Sequence, residues 1–576
     1  MGRLFEVIPI PAKSRIKFGL KKMIDFVGLF LWIGIIVSSF FFPLNAEELD
    51  LLIPETSEQI QKWLELGKPK GFKELPPKKK YPIENEFLSL NLSQVISSTL
   101  ENQWNVQIAE QEVLRQEGIT QATRGPFDPN VKAQYLRKWL KDAQTFGFKT
   151  GEDGQIDSVQ VILEKLTRFG TQFSLNGEIA RESNPSFSLD NSFNRTNQTT
   201  ITFFIDQPLL RRLRYNEASV TEAVSEIELN ALKYSLTQTM AENVRSALLI
   251  YWDLVEVQKV VIINENAKRI LEALASATEK LVEGERVAAS ELNQQFAELA
   301  RNNRELVAAQ QDTYRIFNSL IFQMGIDRKQ FPIELPQLLL DEFPLFAVEK
   351  DEWNLNHLLN IAMDNRGDLI AAQFRIEESA LRLRLAEQEI YPELDVRVGY
   401  DLFNTQINKR AKPFFSSTET HKAQNNYSVL LNFSIPLFNN RAKGEKRRRT
   451  EEEIQANLAE NQLQEDIRQS IATAFRNQLE LIDQIHYARK TVKWYEEALK
   501  DEILRFKEGY GSLFIIIDYE NRLRLTLIEE ARIFAQWSKN IVDLLFQTGT
   551  LIERNACSYE MNIDVFNYQK LLNKHE

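Results

Sequence analysis

Apolar and polar side chains alternate strictly over two stretches late in the chain. Leu394, Val396, Val398, Tyr400 and Leu402 alternate with Asp395, Arg397, Gly399 and Asp401, and Tyr427, Val429, Leu431, Phe433 and Ile435 alternate with Asn426, Ser428, Asn432 and Ser434. Successive side chains on a strand point to opposite faces, so the pattern predicts two strands with one apolar and one polar face. Similar alternation runs earlier through Val159, Val161 and Leu163, through Phe173, Leu175 and Ile179, and through Thr199, Ile201, Phe203 and Ile205. Such stretches, about 10 residues long and joined by polar loops, have the length of strands that cross a bilayer in a barrel. Lys132, Gln134 and Arg397 would then face a wet lumen. A soluble sandwich is the alternative reading.

The pattern changes after each strand region. From Leu209 to Glu283 and from Leu437 to Glu508 there is no proline, glycine is nearly absent, and Ala, Glu, Gln, Leu, Lys and Arg dominate. Such composition predicts helices, each roughly 100 Å long at 1.5 Å per residue. Ile467, Ile471, Phe475, Leu479, Ile482 and Ile485 recur every three or four residues, which makes a packing stripe on one side of the second helix.

The same parts come twice in the same order. Leu90-Asn91-Leu92-Ser93 and Trp353-Asn354-Leu355-Asn356 each open a helix-like stretch, which ends at Pro126-Phe127-Asp128-Pro129 and at Tyr391-Pro392-Glu393-Leu394. Strands follow, closing on Pro208-Leu209 and Pro436-Leu437. A long helix then runs to a turn at Glu283-Gly284 or Glu508-Gly509, and another helix returns. The spacing between copies is nearly kept: 228 residues separate Pro208 from Pro436, and 225 separate Gly284 from Gly509. Proline lacks a donor for a continuing ladder and fixes φ, so Pro208 and Pro436 suit strand-to-helix junctions.

Ahead of the repeats, Arg15, Lys17, Lys21 and Lys22 precede an apolar run from Phe26 to Phe42, with Ala46 at a plausible cleavage position. Residues 1–46 read as a signal peptide, the alternative being an uncleaved anchor. The net charge of −11 argues against nucleic acid as a partner, and Cys557, the one cysteine, cannot form an intrachain disulfide. Four scattered histidines, His357, His421, His486 and His575, have no metal-ligand spacing. No phosphate-binding loop, dinucleotide fingerprint or nucleophile elbow is present, so neither a cofactor nor an enzymatic activity is expected. The runs Lys78-Lys79-Lys80 and Arg447-Arg448-Arg449 read as solvated charge or as neighbours of lipid headgroups.

Taken in order, these parts resemble the TolC-like outer membrane efflux family over nearly the whole mature length. The resemblance rests on Gln207-Pro208-Leu209-Leu210-Arg211, Ile435-Pro436-Leu437-Phe438-Asn439, Phe127-Asp128-Pro129-Asn130, and Arg505-Phe506-Lys507-Glu508-Gly509 followed by Asp518-Tyr519-Glu520-Asn521-Arg522-Leu523. It implies an α+β membrane protein: a transmembrane β-barrel assembled from three subunits, continuous with a long α-helical coiled-coil periplasmic tunnel. The implied partners are two further copies, a periplasmic adaptor, an inner-membrane pump or transporter, and outer-membrane lipid. The implied function is a passive exit duct of a tripartite efflux or type I secretion system. The competing reading is an envelope-anchored coiled-coil structural protein with a soluble β-domain.

Two departures from the family pattern stand out. Pro126 to Pro208 spans 82 residues but Pro392 to Pro436 only 44, and the 38 extra residues carry alternation around a Phe169-Gly170 turn. They read as an added hairpin. It either widens a trimeric barrel from the usual twelve strands to eighteen, or folds over the mouth or lumen. The second departure is at the tip, where the family often carries two inward aspartates one turn apart. Here Asp518 fills the second position and Ile515 the first. The resemblance places the periplasmic aperture at Asp518, Arg286, Glu291, Asn293 and Tyr510, with Arg286 or Arg505 able to pair with an acid, and adaptor contact at the hairpin tips Gly284 and Gly509.

The resulting division is a signal peptide at 1–46, an N-terminal periplasmic segment at 47–88, a first repeat at 89–326 with strands at about 127–207, and a linker at 327–351. A second repeat at 352–552, with strands at about 392–435, and a tail at 553–576 complete it. Linker and tail are expected in an equatorial layer around the tunnel.

Overall fold

The computed structural model describes residues 87–140, 144–145, 148–149, 154–184, 194–285, 289–331, 337–344, 353–408, 423–508 and 510–552. The expected signal peptide, nearly all of the 47–88 segment, the 553–576 tail, Arg286 and Gly509 lie outside the described residues.

In chain order the elements are β1 (Phe87–Leu90), α1 (Leu92–Asn102), α2 (Trp104–Thr123), β2 (Asn130–Leu140), a short pair β3 (Gln144–Thr145) and β4 (Phe148–Lys149), β5 (Gly154–Leu166), β6 (Gln172–Asn184) and β7 (Asn194–Pro208). Then come α3 (Glu217–Glu283), α4 (Ala289–Gln323), β8 (Gln337–Leu340), α5 (Leu355–Asn365), α6 (Gly367–Gln388), β9 (Glu393–Asn408), β10 (Gln424–Ser434), α7 (Asn440–Lys507) and α8 (Leu513–Gln547).

The two long helices contain 67 and 68 residues, so each is about 100 Å long. Both start later than composition alone suggests. Arg212 at φ 67° breaks the path into α3, and Asn216, in extended backbone, caps it by accepting the Ser219 N–H at 2.8 Å. Asn439 at φ 45° delays α7 in the same way. The first helix-like stretch is divided into α1 and α2 at Gln103, whose extended backbone interrupts the ladder and whose side chain accepts the Trp104 N–H. Over the half nearer the large sheet α3 packs on α2 and α6, and over the far half on α4 and α8; α7 packs on α6 and then α8.

The main core is a belt midway along the long helices. Tyr251, Trp252, Leu248, Phe317, Leu320, Leu358, Ile471, Trp537 and Ile541 are buried there, and α1 and α5 close over it. Removing such large apolar side chains from water supplies the main attraction between the helices. At the same level β1 and β8 form a two-stranded parallel sheet. Asp341, just after β8, accepts the Leu92 N–H at 2.8 Å, and the Tyr251 hydroxyl accepts the Asp341 N–H at 3.0 Å, fixing the end of β8 to α1 and α3. Gly325 ends α4 at φ 69°, and a Cβ there would lie 2.2 Å from Asn102 O, so no other residue fits where α1 meets this cap.

The large sheet is antiparallel throughout, with six strands in the order β10-β9-β7-β6-β5-β2. All four strands read in the first half, including the added hairpin, are therefore in it. One row of register partners runs Val131, Leu163, Leu175, Phe203, Tyr400, Tyr427 across all six strands. The adjacent row, pointing to the other face, runs Lys132, Ile162, Asn176, Thr202, Asp401, Asn426.

Candidate functional site

Three features have functional potential: the two faces of the sheet, the junction below it, and the helical tips.

The apolar face continues through Ala133, Val161, Ile201 and Leu402, and through Ile205, Val398 and Val429. It ends toward the loops at the row Arg137, Asp157, Arg181, Asn197, Gln406, where Arg137 and Arg181 donate to Asp157 and Asn197. The opposite face carries Lys132, Gln134 and Arg397, as the alternation predicts, together with Glu164, Glu178, Asp206 and Asp401. Lys132 bonds Glu164 at 2.7 Å, and Arg397 bonds Asp206 on the neighbouring strand. A sheet with one face apolar over its middle rows and the other largely polar suits a boundary between hydrocarbon and water.

The junction brings Pro208 and Pro436 to the same place. Both line a cavity of about 1280 Å³ below the sheet, with Gly170, Asp206, Arg212, Asp395 and Arg397. Pro208 is still in the ladder opposite Asp395; one residue later the Leu209 N–H makes a last bond to Leu394 O at 2.8 Å and the chain leaves. On the other side, Asn439 donates to Ile390 O at 3.1 Å, fixing the exit from β10. The β5–β6 turn is bound to the same region. Arg168 donates twice to Glu222 on α3, at 2.7 Å each, and lies 5.0 Å from the Phe127 ring centroid, while Asn216 donates to Arg168 O at 2.8 Å. These hydrogen bonds hold the Glu222 carboxyl below its usual range.

At the far ends of the helices, Gly284 caps α3 and Glu285 turns the chain at φ 58°. Glu291 and Asn293 are exposed on the first turns of α4. Tyr510 is 87% exposed, and its N–H bonds Arg505 O. Asp518 is half-exposed and bonds Arg522 one turn on at 2.8 Å, and Ile515 above it is partly exposed. Arg505 pairs with Glu502 at 3.8 Å on its own helix, and Glu502, buried, accepts the Ser512 N–H that opens α8. Within one chain these aperture candidates share an end of the molecule but make no common contact among the described residues.

Sequence reasoning missed a buried charge cluster about two to four turns behind the tip. Arg524, 4% exposed, bonds Glu305 on α4 and Asn264 on α3, and Arg301 bonds Asn521 at 2.7 Å and Glu298 at 2.9 Å. Beside them Glu520, also 4% exposed, is pushed up to about 7 by burial and by Glu298, against the pull of Arg524 and Arg301. The signal was available: Leu513, Ile516, Ile517, Glu520 and Arg524 share one buried stripe of α8, so two charges occupy core positions.

Among the described residues no helix is long and apolar enough to cross a membrane, and no group of three His, Cys, Asp or Glu is placed to hold a metal ion. The first statement concerns helices and leaves the sheet as the candidate span.

No curated protein sequence matches the chain significantly. Solved structures do. The outer membrane protein VceC from Vibrio cholerae aligns at TM-score 0.55 and 15% identity, covering 80% of this chain and 96% of its own. The CmeC outer membrane channel of Campylobacter jejuni aligns at 0.55 and 12%, covering 80% and 85%, and the open-state MtrE outer membrane channel of Neisseria gonorrhoeae at 0.55 and 13%, covering 81% and 91%. At these identities the likeness is one of fold. In sequence, residues 358–549 match the family described as outer membrane efflux protein. Over residues 358–549 the chain is thus similar in sequence to the outer membrane efflux protein family, and as a whole it shares the fold of these outer-membrane channel structures.

Proposed function

We propose that this protein is the outer-membrane exit duct of a tripartite efflux or type I secretion assembly, a homotrimer that spans the outer membrane through its strands and extends into the periplasm through its helices. The observation that carries this is the six-stranded sheet with one continuous apolar face, joined directly to two helices of 67 and 68 residues. A soluble β-domain on an anchored coiled coil would leave that face in water. The protein acts as a conduit, driven by an inner-membrane pump and coupled to it by a periplasmic adaptor.

In this reading the internal repeat supplies two similar helical hairpins per subunit, and the sheet's charged face lines the lumen. Pro208 and Pro436 redirect the chain at the membrane boundary. Asp518, Arg286, Glu291, Asn293 and Tyr510 ring the periplasmic aperture, and the adaptor meets the tips at Gly284 and Gly509. An acidic ring at Asp518 favours cations at a narrow mouth, and Ile515 makes that ring single and flanks it with apolar surface.

The test is single-channel conductance of the purified protein in planar bilayers, with oligomeric mass measured on the same sample. Discrete cation-preferring openings from a trimer are expected, and no conductance from folded, inserted protein would overturn the duct. Asp518→Ala combined with Arg286→Ala is expected to weaken cation preference and lengthen openings; unchanged openings would remove these residues from the aperture.

A further inference from the structure

The helical cluster around Glu520 and the junction cavity both invite functional readings, but the large sheet carries an inference furthest. Resting on the duct reading above, we propose that the β5–β6 hairpin is part of the barrel wall and that β10 of one copy pairs with β2 of the next, closing a ring of eighteen strands from three chains.

Four observations converge on this. The hairpin is in the middle of the sheet, paired along its whole length to β2 on one side and β7 on the other, so nothing else separates β2 from the rest. Its facing pattern is in phase with its neighbours: Val159, Val161, Leu163 and Leu175 continue the apolar face, and Gln160, Glu164, Asn176 and Glu178 the polar one. A flap over the mouth would have no reason to keep a lipid-matching face in register with the wall. The turn is anchored at the helical end, by Arg168 on Glu222, by Thr171 on Gln207 at 2.6 Å and by Lys165 on Phe127 O. Gly170 there adopts φ 83°, and a Cβ would lie 2.8 Å from Arg212 O, so the turn is seated tightly against the junction. Finally, the two outermost strands are open. Every described residue of β10 is exposed, as is β2 from Asn130 to Trp139, including Val131, Tyr135, Tyr427, Val429 and Leu431 on the apolar face.

An open edge cannot persist in hydrocarbon, where unpaired N–H and C=O groups find no water. Six strands are too few for one chain to close on itself. The edges are complementary: β2 runs away from the helices and β10 returns toward them, so β10 and a second copy's β2 meet antiparallel and head to tail around a ring. With strands about 4.8 Å apart and tilted about 40°, eighteen strands give a barrel about 35 Å across between backbones, against about 24 Å for twelve. The membrane section is then wider than the usual duct of this architecture.

The experiment uses the full chain with Cys557→Ser and single cysteines carrying an environment-sensitive fluorophore, reconstituted in vesicles with spin-labelled lipid. Leu163→Cys and Leu175→Cys are expected to be quenched by the lipid label, and Gln160→Cys and Asn176→Cys by an aqueous quencher only. Cysteine pairs drawn from Tyr427, Val429 and Leu431 against Val131, Ala133 and Tyr135 are expected to give covalent trimers in at least one register. No lipid quenching on the hairpin, in protein that still forms conducting trimers, would put the hairpin outside the wall and overturn the inference. Loss of conductance and of the trimer, with the alternating quenching retained, would instead count against the duct reading.

Discussion

Two buried acids respond to pH in opposite senses. Glu222 is held ionised by Arg168, so its contribution is present above the ordinary carboxylate range and is lost as pH falls through its lowered value. Arg168→Ala is expected to lower the heat-dissociation midpoint of the folded protein by a few degrees at pH 7 and by less at pH 4, read by gel shift of heated samples. Glu520, raised to about 7, is the reverse: its burial costs nothing while it is protonated, and stability is lost as pH rises through that value. Glu520→Gln should therefore melt like the parent at pH 4 and gain on the order of 3 kcal/mol at pH 8. A parallel shift at both pH values would mean that Glu520 does not titrate in this range. Glu222 could not be singled out from sequence, whereas Glu520 falls on the stripe of Leu513, Ile516 and Ile517. Their roles depend on partners 54 residues away for Glu222 and, for Glu520, on charges of another helix. Asp518, by contrast, belongs to a local motif, and its bond to Arg522 is equally local.

The hydrophobic pattern predicts the existence and type of nearly every large element, because period 2 and period 3.6 are properties of a single element seen from one side. The bounds are less legible. The start of α3 depends on Arg212 and Asn216, and the break between α1 and α2 on Gln103, single residues whose backbone conformation composition does not reveal. The parallel pairing of β1 with β8 joins segments about 250 residues apart and leaves no local signature. At the tip, α8 begins without a capping bond from Ser512 itself, and Glu502 supplies the acceptor from α7. Glu502→Ala is expected to remove about 1 kcal/mol from this turn and to speed hydrogen exchange at Ser512 to Ile516 while the central belt is unchanged. Uniform protection in both proteins would assign the turn's order to other contacts.

At the scale of the whole molecule, strand count is set by the register between distant strands, so sequence alone left the added hairpin with two possible places. The sheet order resolves where it lies within one chain, beside β2 and β7. The exposed edges of β2 and β10 also bear on how the protein is made. In the proposed three-chain ring, a lone chain could enter lipid only by stranding two rows of peptide groups there, so insertion would have to wait for company. Formation of the membrane-competent form would then depend steeply on how many copies are present at once. The proposed ring would also be only as good as its worst member: if a subunit with a spoiled edge is produced in equal amount with the intact one, about one three-chain ring in eight would escape it. A harmless-looking change at the sheet margin would behave genetically as a dominant poison.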